Sequence, residues 1–220
     1  MSELKIVAIS DTHAKWKNLV IPPCDILISA GDYSFTGEKH LVKNFHEWLN
    51  KQDAGHIISV QGNHETWVEK NFNEAKELAL SVCPAVYFMD EGLVEIEGLK
   101  IWCSAITPEF FHWAWNRNRG EDIKRHWDLI PEGTNILVTH GPAYGILDSV
   151  LYANSDFKEH VGCVDLADAI KRIKPDVHIC GHIHSAHGQV HIDGTSYYNA
   201  SICDEIYYPS YPITEIDFIL

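Results

Sequence analysis

The chain has 220 residues, 45% of them apolar, with no Ser/Gly-rich linker, and this supports one well-buried domain spanning residues 1–220. Its 17 basic against 31 acidic residues give a net charge of −14, and no basic cluster is longer than a pair such as Lys171-Arg172. That argues against long nucleic acid as a partner, because such polyanions are held largely by neutralising their phosphates.

No apolar stretch approaches the roughly 20 residues of a membrane span, and the apolar run after Met1-Ser-Glu is too short for a secretory leader. Six cysteines lie scattered without CxxC spacing, several inside apolar runs, and read as reduced core residues. A soluble, cytoplasmic protein with no membrane partner is expected.

In chain order, the run Leu4–Ile9 predicts a strand that ends just before Asp11-Thr-His13, and Asp25–Ala30 predicts a second that ends before Gly31-Asp32. Thr36 is placed to cap a helix reaching Gln52, with Leu41, Phe45, Trp48 and Leu49 on one face. His56–Val60 is a third strand and delivers Gly62-Asn63-His64, after which Glu65–Ser81 reads as a helix. Glu91–Ser104 reads as two strands turning at Glu97-Gly98. An aromatic segment, Phe110–Gly120, follows. Asn135–Thr139 is a strand that leads into His140-Gly141. Cys163–Lys174 is a helix with Leu166, Ala169, Ile170 and Ile173 on one face and Pro175 as its stop. Asp176–Cys180 is a strand before Gly181-His182-Ile-His184, and Gln189–Asn199 is a hairpin with Asp193-Gly194 at a type I′ turn. Pro212–Leu220 is expected to close the sheet.

Five predicted strands thus end at polar clusters, as ligand sites at the carboxyl ends of strands in open α/β sheets require. Asp, Asn and His are oxygen and imidazole donors suited to borderline divalent cations, and a pair of such ions about 3.5–4 Å apart can clamp an in-line phosphoryl displacement. A single DxH or HxH is weak evidence. The ordered set is strong, and the chain reads as a two-metal hydrolase.

The order DxH, GD, GNH, a later H and then GHxH resembles the calcineurin-like metallophosphoesterases. The resemblance implies a two-sheet β-sandwich flanked by helices, an α/β fold, with two divalent ions. Asp11, His13, Asp32 and His184 would hold one ion and Asp32, Asn63, His140 and His182 the other, with Asp32 bridging. Manganese is the expected metal, with Fe, Zn, Co, Ni or Mg as alternatives. Over nearly the whole chain the sequence also resembles the metallophosphoesterase-domain (MPPED-type) proteins, through Gly31-Asp-Tyr33, Phe45-His-Glu-Trp-Leu49, Gly62-Asn-His-Glu65, Thr139-His-Gly-Pro142, His160-Val-Gly-Cys163, Gly181-His-Ile-His184 and Asn199-Ala-Ser201. That resemblance implies metal-dependent phosphodiesterase activity.

A water or hydroxide bridging the metals would attack phosphorus, so no serine or cysteine nucleophile is required. His64, beside Asn63 but not a ligand, is the expected general acid, a role the resemblance also assigns to it. The related protein phosphatases carry an aspartate that supports this histidine; here Phe35 stands in its place, leaving Glu65 or a backbone carbonyl to orient His64. Those phosphatases also carry phosphate-gripping arginines, where this chain has Gln61 and Tyr33-Ser34-Phe35. Their absence favours a monoanionic diester over a dianionic monoester.

The expected substrate is a small phosphodiester, cyclic nucleotides foremost. A phosphomonoesterase, a nuclease and a non-catalytic scaffold on the same fold are the alternatives. Aromatic faces stack bases, so Trp113, Asn116 and Arg119 are candidate substrate contacts, against a capping loop or a homo-oligomer patch. The remaining histidines, His46 and His160 among them, read as surface or hydrogen-bonded structural residues, with His112 and His187 as weaker cases because they lie near the proposed site, and Tyr207, Tyr208 and Tyr211 read as loop packing.

Overall fold

The computed structural model describes residues 3–151 and 158–220. Four strands and three helices come first: β1 (Glu3–Ile9), β2 (Cys24–Ala30), α1 (Lys39–Leu49), β3 (Ala54–Val60), α2 (Thr66–Lys70), α3 (Phe72–Val82) and β4 (Val86–Met89). Then follow β5 (Glu91–Ile96), β6 (Leu99–Ser104), β7 (Thr107–Pro108), β8 (Asn116–Arg117), α4 (Glu121–Trp127), β9 (Ile136–Thr139), β10 (Ser149–Leu151) and β11 (Lys158–His160). The last elements are α5 (Val164–Ile173), β12 (Val177–Cys180), β13 (Gly188–Ile192), β14 (Thr195–Asn199) and β15 (Thr214–Ile219).

Two sheets carry the fold. The first runs β15-β1-β2-β3-β4 and the second β13-β14-β12-β9-β6-β5. Strands β1 to β4 are mutually parallel, as are β14, β12, β9 and β6, while β15, β13 and β5 add antiparallel edges. Strands buried on both faces are continuously apolar, which is why Ile6–Ile9, Ile26–Ile28 and Ile136–Val138 lack alternation and are almost fully buried. The edge strand β15 alternates instead, burying Ile216 and Phe218 between exposed neighbours.

On the first sheet, α1 packs with α3 and inserts Phe45, stacked on Tyr33 at 4.5 Å and edge-on to Trp16 at 5.1 Å. At the other side α4 and α5 pair, and the Arg172 guanidinium of α5 donates to the Trp127 carbonyl at 2.9 Å.

Helix limits differ from the sequence reading. Helix α1 starts at Lys39, not at Thr36: Gly37 lies at φ +70 and Glu38 is extended, so the chain turns once more before coiling. The helix expected over 65–81 is two, because Asn71 at φ −134 breaks it and its side-chain amide donates back to the Trp67 carbonyl at 2.8 Å. Helix α5 is as expected, with Cys163 at its N-cap and Lys174 left-handed at its end. The hairpin turns at Glu97-Gly98 and Asp193-Gly194 both place two successive residues at positive φ, as a type I′ turn demands.

The sheets meet where their parallel strands end. An isolated bridge pairs Ser10 with Ser201, and the Ser10 amide donates to the Ala200 carbonyl at 2.9 Å. Residues just past β1, β2, β3, β9 and β12 therefore converge on one edge.

Candidate metal centre

Asp11, His13, Asp32, Asn63, His140, His182 and His184 come together at that edge. Donor atoms of Asp11, His13 and His184 lie within 4.8 Å of one another, as do those of Asp32, His140 and His182, and those of His13, Asp32 and His64. Asp32 thus adjoins both ends of the cluster.

Four of these residues adopt positive φ: Asp11 at 52°, His13 at 40°, Asp32 at 54° and His182 at 68°. Such backbone costs on the order of 1 kcal/mol or more per residue, and persists only where surrounding bonds over-determine it. Here they do. The Asp11 amide donates to the Gly31 carbonyl and the His13 amide to the Asp32 carbonyl, each at 3.0 Å. The Asp32 amide donates to Glu65 Oε2 at 2.9 Å, and the His182 amide to Asp11 Oδ2 at 2.9 Å. Buried Glu65 also accepts from Gly62 and Ser34, so it clamps the loops after β2 and β3 together. Gly181 has no room for a side chain, since a Cβ there would run into Ser10 Oγ and the Asp11 carboxylate.

Carbonyls fix the imidazole tautomers. Nδ1–H donates from His13 to Ser34 O (3.2 Å), from His140 to Ala30 O (2.8 Å), from His184 to Asp204 O (2.9 Å) and from His64 to Phe35 O (2.9 Å). With Nδ1 so engaged, His13, His140 and His184 turn Nε2 inward, the arrangement by which carbonyl partners orient histidine for a metal. His13 and His184 face each other Nε2 to Nε2 at 3.1 Å, and His140 Nε2 lies 2.8 Å from Asn63 Oδ1 and 3.2 Å from Asp32 Oδ2.

Electrostatics bear on the fit of a cation. Asp11 Oδ1 is buried without a well-formed hydrogen bond, 3.3 Å from His184 Nε2. Two lone pairs aimed at each other and an orphaned buried carboxylate oxygen are unfavourable unless something positive lies between them. In the metal-free chain protons fill that place. Burial works against the charge on His140 and His184, but Asp32 beside the first and Asp11 beside the second raise both to about 9. Burial pushes His13 and His182 down to about 4 and keeps them neutral. Burial would raise Asp11 and Asp32, yet the surrounding imidazoles, His184 and His140 foremost, hold both below the usual carboxylate range. Burial and then Asp32 lift Glu65 to about 8. This donor set of carboxylate, amide and imidazole fits divalent cations.

His64 stands at the mouth, its side chain 13% exposed and its Nε2 3.9 Å from Asp32 Oδ2. Its amide donates to Asp32 Oδ1 at 2.8 Å. Of the two orienting groups the sequence left open, the Phe35 carbonyl holds the ring, while Glu65 is taken up by backbone amides.

A pocket of about 310 Å³ opens over the cluster, walled by Trp113, Phe110, Phe111 and Tyr207. Trp113 sits ring to ring with His64 at 4.2 Å. Asn116 does not face the pocket; its amide oxygen accepts from Phe110 and Trp113 and its nitrogen donates to Thr107 and Ala114. The guanidinium of Arg119 donates to the Gly162 and Val161 carbonyls, each at 2.7 Å, at the edge of a neighbouring cleft.

Three contributors escaped the sequence reading. Tyr207, expected to pack a loop, stands at φ 60 with its ring 4.6 Å from His13 and 5.6 Å from His184. Ser201 donates to Asp11 Oδ2 at 2.9 Å. Asp204 acts through its backbone carbonyl. Only Ser201 left a signal, inside the Asn199-Ala-Ser201 motif.

The profile of calcineurin-like phosphoesterases matches residues 4–186. Metallophosphoesterase domain-containing protein 1 of Homo sapiens is 34% identical over 97% of this chain and 70% of its own length. A UPF0046 protein of Caenorhabditis elegans is 31% identical over 92% of this chain and 71% of its own. Among solved structures, the phosphopantetheinyl hydrolase of Mycobacterium tuberculosis superposes with a TM-score of 0.62 at 17% identity, covering 96% of this chain and 95% of that one, a likeness of fold. With strand-end ligand groups, two sheets flanked by helices and this kinship, the chain belongs to the calcineurin-like phosphoesterase family, whose members hydrolyse phosphoesters with divalent metal ions.

Proposed function

We propose that the chain is a dinuclear metal-dependent phosphodiesterase acting on small phosphodiesters, cyclic nucleotides foremost. The observation that carries this reading is the charge of the pocket wall. No Lys or Arg is among the described residues lining it, and Arg119 in the neighbouring cleft spends its guanidinium on two carbonyls. A dianionic monoester gains most from bidentate guanidinium contacts, whereas a monoanionic diester needs them less.

In this reading Asp11, His13, Asp32 and His184 hold one cation and Asp32, Asn63, His140 and His182 the other, with manganese the foremost occupant. When bound, the ions supply Lewis-acid polarisation of phosphoryl oxygen and a water activated near neutral pH. The chain's own residues do the rest. His64, its Nδ1 proton committed to Phe35, would act as the imidazolium, giving its Nε2 proton to the departing alkoxide and becoming the neutral ring. Trp113 packs that ring in place and presents an apolar face on which a base can stack. Asn116 serves by holding its loop, and the Arg119 guanidinium is engaged by the Gly162 and Val161 carbonyls.

The test compares matched aryl esters on manganese-reconstituted protein. A diester is expected to show a higher kcat/KM than its monoester. If the monoester wins, the phosphodiesterase reading is wrong.

A further inference from the structure

Beside the pocket lies a larger cleft of about 820 Å³, and the two share Phe110, Phe111, Val150, His182 and Ile183. A group held over the candidate metal centre therefore has a continuous path into it. The cleft wall is mainly apolar, lined by Tyr144, Val161 and Val164 as well as the two phenylalanines, and Val164 is 48% exposed. Glu109, Arg119 and Glu159 also line it, and a further polar group is fixed there by a buried partner. His160 lines the cleft with its side chain 47% exposed, and its Nδ1 lies 2.6 Å from Oδ1 of Asp148, whose side chain is fully buried.

Asp148 is itself fixed. Its Oδ2 accepts from the Gly145 and Gly162 amides at 2.9 and 3.0 Å, and its carbonyl accepts from Val161. Gly162 has no space for a Cβ, which would meet the Ala143 carbonyl at 2.6 Å and Asp148 Oδ2 at 2.8 Å. Buried aspartate, amide donors and glycine thus hold one imidazole by its Nδ1 in the wall of a mainly apolar cleft.

We infer that this cleft is the subsite for one ester arm of the substrate, taking a bulky, planar and mainly apolar alcohol whose polar end hydrogen-bonds His160. The inference rests on the phosphodiesterase reading, since the arm is placed by a phosphorus held over the metal centre. His160 is then a specificity contact, and Asp148 its positioning residue. Apolar walls select for size by amounts that grow with buried area, and the imidazole held by Asp148 selects the arm that satisfies it.

The test uses manganese-reconstituted protein and two readouts. The first is equilibrium binding, by calorimetry, of the methyl, 2-naphthyl and 6-hydroxy-2-naphthyl esters of methylphosphonic acid, which keep a monoanionic phosphorus. The second is turnover of p-nitrophenyl phosphodiesters carrying a methyl or a 2-naphthyl second arm. The naphthyl arm is expected to bind about tenfold or more tighter than methyl, by the apolar area it buries. Val164→Trp, which narrows the cleft from a half-exposed helix start, should cost the naphthyl compounds about tenfold more than the methyl ones. His160→Leu should weaken the hydroxynaphthyl ester several-fold while sparing the naphthyl ester, an outcome a merely structural histidine would not give.

Equal binding of all three arms, or equal losses in Val164→Trp, overturns the subsite. An equal effect of His160→Leu on hydroxynaphthyl and naphthyl esters overturns the role of His160. Arm-dependent binding with no turnover of either diester sinks the phosphodiesterase reading instead and leaves the subsite standing.

Discussion

At the scale of single residues, the centre is a set of strained backbones held by carbonyls and amides, so its side chains divide by what they touch. Asp32 adjoins donors at both ends of the cluster, and Asp32→Ala removes an anionic donor that both candidate ions would share. Elemental analysis of that variant should find both metals lost with activity; two metals retained per chain would refute the ligand assignment. His64 differs, since it stands at the mouth with its Nδ1 engaged by Phe35. His64→Ala is expected to keep its metals yet lower kcat by roughly 10²–10⁴-fold on alkyl diesters, with aryl leaving groups of low pKa largely spared. Equal losses on alkyl and aryl esters would assign His64 to binding instead.

At the scale of elements, His46 ties helix to sheet. Its Nδ1 donates to the Val42 carbonyl within α1 at 2.7 Å, and its Nε2 lies 3.1 Å from Ser59 Oγ of β3. Burial lowers its pKa from 6.5 to about 4, the Val42 bond opposing only weakly. The facing groups are Phe45, Tyr33 and Phe88, none of which supplies a compensating negative charge. Because the unfolded chain takes up the proton first, this contact is fully stabilising above pH 6.5 and loses its contribution as pH falls toward 4. The loss is on the order of 3 kcal/mol. Thermal unfolding of His46→Gln should therefore show a shallower drop between pH 6.5 and 4 than the parent, and parallel curves would mean that His46 does not stay neutral.

The same elements show what could be read in advance. Continuous apolar runs announced the parallel strands, and the polar groups after them announced Asp11, Asp32, Asn63, His140 and His182, because both signals are local. The break at Asn71 was hidden, since only a side chain returning to Trp67 marks it, and Thr36 looked like a cap until Gly37 turned the chain away. Tyr207 and the Phe35 and Asp204 carbonyls were out of reach for another reason: what each does depends on residues far away in sequence.

At the scale of the whole molecule, a net charge of −14 surrounds a site built to receive anions. Two bound divalent ions outweigh the two carboxylates Asp11 and Asp32 locally, but the Debye length is about 8 Å at physiological ionic strength, so a long polyanion meets the acidic exterior as well as the site. A small diester of the proposed kind would meet mainly the site. Salt separates the two cases. A protein that grips nucleic acid with basic residues loses affinity steeply as salt rises from about 50 to 200 mM, because condensed counterions are no longer released to advantage. Here the opposite trend is expected for single-stranded DNA: a low kcat/KM that rises over that interval as repulsion is screened, while the value for a methyl aryl diester stays nearly constant. A kcat/KM on DNA that falls with salt would instead reveal a cationic track along the surface, and would turn the assignment from a small-diester hydrolase toward a nuclease.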